Sequence, residues 1–138
     1  MKKIIFALIT LCIAGSIQAA APVPETIQHN FVEQFPQASD MVWTDQQNGL
    51  YEVDFNYNQQ HYAALLDKKG TMLHAGKTLT WFEFPASVRQ SIAKTYEGFN
   101  MKLMIKQNDH YVAEFSYQGS NYTVVLENTG KVVVSTKE

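Results

Sequence analysis

Tyr51-Glu52-Val53-Asp54-Phe55-Asn56-Tyr57 and Tyr111-Val112-Ala113-Glu114-Phe115-Ser116-Tyr117 are one pattern written twice, at an offset of 60 residues. In each, alternation with period two puts Tyr51, Val53, Phe55 and Tyr57, or Tyr111, Ala113, Phe115 and Tyr117, on one side of a strand. The other side carries Glu52, Asp54 and Asn56, or Glu114 and Ser116. That is the signature of an antiparallel strand with one packed face and one wet face.

Working outward, each strand is followed by a short turn and a second strand, His61–Asp67 and Asn121–Glu127, again at an offset of 60. Asp67-Lys68-Lys69-Gly70 and Glu127-Asn128-Thr129-Gly130 read as hairpin turns with glycine in the left-handed position. A final strand follows each, Thr71–Gly76 and Lys131–Thr136. An earlier strand precedes each, Met41–Asp45 with Trp43, and Asn100–Gln107.

Before these strands the period lengthens to that of a helix. Val23, Ile27, Phe31 and Phe35 form one apolar stripe, started by Pro24 and stopped by Pro36. Phe84, Val88, Ile92 and Tyr96 repeat that stripe at an offset of 61, behind Pro85 and ahead of Gly98. The template therefore covers residues 22–77 and 83–136. The fold class expected is α+β: a tandem repeat of a helix and a four-stranded antiparallel meander. The two copies, 21–78 and 79–138, should join into one long sheet within one compact domain, with both helices on one face and the other face open.

The first twenty residues read as a signal peptide. Met1-Lys2-Lys3 is a basic start, Ile4–Ile13 is an apolar run too short to span a bilayer with ease, and small residues follow. Cleavage fits after Ala19 or after Ala21. Cys12, the single cysteine, lies inside the apolar run behind the bulky Leu11, which argues against lipidation. The chain downstream has no thiol chemistry available to it. It is expected to be periplasmic or extracellular, with no stable membrane anchor after cleavage. Without Lys2 and Lys3, 9 bases face 13 acids, a net charge of −4. No basic stripe survives, so nucleic acid and anionic membrane are poor partners.

No catalytic cluster stands out. There is no nucleophile elbow, phosphate loop or dinucleotide fingerprint. His29, His61, His74 and His110 show no metal-ligand spacing, so neither a metal nor a cofactor is expected. Glu52, Asp54 and Glu114 are read as an acidic sheet face, either merely solvated or used to bind a partner. An open sheet would not bury them enough to shift their pKa values toward acid–base work. Thr80-Trp81-Phe82-Glu83-Phe84 joins the two copies. Phe84 belongs to the helix stripe. Trp81 and Phe82 have no counterpart before Val23, and either cement the copies together or anchor a partner.

The template resembles the PepSY-like family, also described as like the beta-lactamase inhibitor protein. The residues carrying the match are Val23-Pro24 through Phe35-Pro36, the Trp43 strand, Gly49 to Phe55 and Asp67-Lys68-Lys69-Gly70. In the second copy they are Phe84-Pro85 through Phe99, Tyr111 to Phe115 and Asn128-Thr129-Gly130. The resemblance implies a small exported bacterial domain without catalytic machinery. The inhibitor grips an enzyme with its open sheet face, but this chain lacks the inhibitor's cysteine pairs, so beta-lactamase inhibition does not carry over. Sequence reading thus expects a non-catalytic exported binding module that contacts another protein through Trp81, Phe82, Glu52, Asp54 and Glu114. The alternative is a small-molecule-binding envelope protein, with a tyrosine-lined cavity between helices and sheet.

Overall fold

The computed structural model describes residues 23–138. The expected signal peptide and Cys12 lie outside the described residues. The element order is α1 (Glu25–Gln34), β1 (Ser39–Asp45), β2 (Leu50–Tyr57), β3 (Gln60–Asp67), β4 (Met72–Thr78), a 3₁₀ turn (Trp81–Glu83), α2 (Ala86–Thr95), β5 (Asn100–Gln107), β6 (His110–Tyr117), β7 (Ser120–Glu127) and β8 (Val132–Lys137). The eight strands form one sheet in chain order, β1 to β8, every neighbour antiparallel. The α+β repeat expected from the sequence is the fold observed.

Each helix starts on a proline. Pro24 O accepts from the backbone N–H groups of Ile27 and Gln28, and Pro85 O from that of Arg89. A proline there sacrifices no helical hydrogen bond. Each helix ends alike, with the N–H of Phe35 or Tyr96 closing on Phe31 or Ile92. The buried stripes, Ile27 and Phe31, then Val88 and Ile92, press onto the same face of the sheet.

Two aromatic cores result. In the first half Phe31 meets Phe35, Trp43 and Phe55 at ring-centroid distances of 5.4, 5.4 and 4.8 Å. In the second, Tyr96 meets Phe115, Tyr117 and Tyr122 at 4.8, 5.4 and 5.2 Å. Aromatic pairs of this kind, most of them edge to face and Phe31–Phe35 stacked, add about 0.5–1.5 kcal/mol each beyond burial. These rings fill the space between helices and sheet, where a tyrosine-lined cavity was the alternative expectation. Three surface clefts lie along turns and strand ends, and a fourth lies along β3, β4, β7 and β8.

The opposite face departs from expectation. β4 and β5 pair through only two positions, Lys77 with Lys106 and Thr78 with Ile105. The last residues of β4 therefore meet the last residues of β5, and the two meanders are staggered by most of a strand. At this junction Gly76 lies so close to the Lys106 carbonyl that a Cβ would sit 2.1 Å from its oxygen. The sheet folds over here and brings the two inner faces together. Ala63 of the first half packs with Leu103, Ile105 and Val112 of the second, all buried. The face expected to be open is closed along its middle by this inner seam. It stays exposed toward the edge strands, at Val42 and Val134.

Candidate functional site

Two places hold the residues singled out by the sequence. The first is the joint. Leu79 N–H bonds Met104 O at 3.0 Å and leads into the 3₁₀ turn. Thr80 N–H donates to Glu83 Oε2 at 2.6 Å, which clamps the turn and holds the exposed Glu83 carboxyl below the usual carboxylate range. Thr80 and Glu83 have the Thr-x-x-Glu spacing of a capping box, a signal from which the turn could have been found.

Trp81 and Phe82 then part company. Trp81 is half-buried and packs at a tilt against Phe99 at 5.3 Å and Phe84 at 6.5 Å, at the margin of the second aromatic core. Phe82 points to solvent and is 82 % exposed. The Arg89 guanidinium sits 5.8 Å from the Phe82 ring centre, while its Nε donates to Phe84 O at 3.2 Å. A cation over an aromatic face is attractive by about 0.5–1 kcal/mol at an exposed site. A cleft of about 430 Å³ beside the turn is lined by His61, Lys77, Leu79 and Glu83. Sequence reading missed Arg89, because only the helix geometry carries it back to Phe82.

The second place is the acidic inner face, and it is a correction. Asp54 is exposed as expected. Glu52 is half-buried, and Glu114 is buried, with 2 % of its surface accessible. Glu114 is therefore not a surface contact. The fold-over at β4 and β5 places the other half above it.

The seam joins Glu52 and Glu114 through one side chain. Gln46, in the turn after β1, points its Nε2 at Glu52 Oε2 at 2.6 Å and at Glu114 Oε2, in the other half, at 3.4 Å. Gln46 Oε1 is buried with no hydrogen-bond partner. Burial pushes the Glu52 carboxyl from 4.5 up to about 7, helped by the nearby charge of Asp54 and opposed by the Gln46 hydrogen bond. Burial also raises Glu114 and Asp54. The expectation that this sheet could not supply such burial is overturned by the seam.

Gln46 has a repeat mate, Gln107, at an offset of 61. Gln107 also reaches across the halves, its Oε1 lying 3.3 Å from His74 Nδ1 and accepting from Ala75 N–H at 3.2 Å. At the far end of the seam Asn48 Nδ2 donates to Glu138 Oε2 at 2.6 Å. A cleft of about 310 Å³ there is lined by Leu65, Leu73, His74, Thr123, Thr136 and Glu138. These polar links have no local signature, since partners up to 90 positions apart meet only through the fold-over. Among the described residues no three His, Cys, Asp or Glu side chains converge as a metal site, and no helix is long and apolar enough to cross a membrane.

No protein-family model and no curated protein matches the sequence. Among solved structures, the chain is similar to a DUF2874 family protein from Bacteroides uniformis ATCC 8492, at 17% identity over 83% of this chain and 88% of that one, with a TM-score of 0.47. It is similar to a BLIP-like protein from Bacteroides fragilis NCTC 9343, at 14% identity over 86% and 88%, with a TM-score of 0.47. A DUF2874 family protein from Bacteroides ovatus ATCC 8483 aligns at 13% identity over 86% and 89%, with a TM-score of 0.46.

Proposed function

We propose that this chain is a non-catalytic exported binding module that engages a protein partner at the joint between its halves, with Phe82 as the anchor. The observation that carries the reading is the exposure of Phe82 on a turn that is itself rigid. An aromatic ring left 82 % in water forfeits the stabilisation that burial gives its neighbours, about 1.5–3 kcal/mol for a side chain of this size. The turn beneath it is clamped by Thr80 and Glu83 and packed through Trp81. Binding there would order little chain, so most of the ring's burial would count toward affinity. Arg89 flanks the ring, Lys77 lines the cleft beside the turn, and Asp54 is the acidic inner-face residue that a partner can reach directly. The apolar leader favours delivery to the periplasm or beyond.

A photo-crosslinking phenylalanine analogue at position 82 tests this in cells that export the chain. A discrete protein adduct is expected with the analogue at 82 and not with the same analogue at the exposed Lys94. Identical labelling patterns from the two positions would overturn the assignment.

A further inference from the structure

A buried carboxyl normally has a cation beside it or several N–H donors upon it. Glu114 has neither. The one ion pair among the described residues is His29 with Glu33, on the far surface of α1. The sole side-chain donor to Glu114 is the distant Gln46 amide, already given to Glu52. The neighbouring strands supply no charge opposite either group: Leu65 pairs with Glu52, while Leu103 and Thr123 flank Glu114. The charged groups that act on the pair are Asp54 on β2, Lys102 on β5 and Glu138 after β8. Lys102 spends its ammonium on Asn121 Oδ1 at 2.6 Å. Two carboxylates of different halves, ionised together around one amide, would repel across a dry seam. The orphaned Gln46 Oε1 adds an independent sign. A buried carbonyl oxygen without a donor is costly, and the hydrogen its neighbourhood lacks is the one a carboxylic acid carries.

We propose that the inner seam is a proton-dependent clasp: a proton held by Glu52 and Glu114 around the Gln46 amide keeps the two halves folded onto each other, and its release to solvent lets the inner faces part. The ligand is the proton itself, so the clasp needs no other cofactor. Parting uncovers the Ala63, Leu103, Ile105 and Val112 cluster, which is otherwise inaccessible. This device is independent of Phe82, which lies on the joint outside the seam.

Spin labels on the exposed Lys69 and Gln118, one in each half, report the separation directly. The label-to-label distance should lengthen as the pH is raised from about 5 to about 8, and Glu52→Gln with Glu114→Gln should abolish the change. Carbon-13 titration of the unsubstituted chain gives a second readout that does not depend on the double variant folding. It should place the Glu114 midpoint well above the ordinary carboxyl range. A distance that ignores pH in the unsubstituted chain, or a Glu114 midpoint at the ordinary value, overturns the clasp.

Discussion

Adjacent phenylalanine and tryptophan side chains in this chain have opposite fates, and burial decides which matter for folding. Phe84 is 1 % exposed and meets Tyr111 edge to face at 5.4 Å. Phe84→Ala should cost about 3–5 kcal/mol, the usual range for emptying a packed aromatic site. Phe82→Ala should move stability by no more than about 1 kcal/mol, the worth of its exposed contact with Arg89. Denaturant unfolding of both variants checks the pair, and equal losses would contradict the packing described. The acidic side chains follow the same logic with pH. Glu52 binds its proton more tightly folded than unfolded, as does Glu114. The native state therefore holds more protons across the window from 4.5 to about 7. The contribution of Glu52 is fully present below that window and is lost as pH rises through it, and that of Glu114 is lost in the same direction. The melting temperature should fall from the acid to the neutral side of the window, and the slope should flatten in Glu114→Gln.

At the scale of elements, two glycines of positive φ differ in their surroundings: Gly130 in the β7–β8 hairpin and Gly98 behind helix α2. Gly130 has φ of +86°, and a Cβ on it would lie 2.5 Å from Ser87 O, backbone that cannot swing away. Gly98 has nearly the same angle, +81°, with nothing within 4 Å. Gly98→Ala should therefore cost only the left-handed strain of about 1–2 kcal/mol, and Gly130→Ala clearly more. Thermal unfolding of the two variants separates strain from collision. Elements were also where the sequence was easiest to read. The four-residue spacing of Ile27 and Phe31, and the two-residue spacing of Val53 and Phe55, are local periods that survive without knowledge of the fold. The 3₁₀ turn was harder: three residues show no period, and only the Thr80 and Glu83 spacing marks it. The inner seam was illegible for another reason. Ala63-Ala64-Leu65-Leu66 is an apolar run, the mark of a strand buried on both faces. Its second face is covered by a segment some 40 residues later, and that meeting rests on the two-position pairing of β4 and β5. Glu114 was misread with it, because its neighbours in sequence gave it the wet side of a strand.

For the molecule as a whole, Gly76 is the position where both halves depend on one missing methyl group. Gly76→Ala would drive a Cβ to 2.1 Å from Lys106 O and 2.7 Å from its carbonyl carbon. It should pry the fold-over apart while leaving each aromatic core intact. Tryptophan fluorescence follows this, since Trp43 lies in the first core and Trp81 in the second. The two should unfold together in the parent chain and at different denaturant concentrations in the variant. The strand order has a further consequence. Every strand pairs with the one made just before it, so a chain appearing amino end first can add rungs one at a time, and none need wait for a distant mate. Helix α1 can settle on β2 and β3 while β5 to β8 are still being synthesised. The side-chain contact of Glu138 with Asn48 and its backbone pairing with Asn121 must await the emergence of β8, so the segment behind that strand latches late onto a turn laid down near the start.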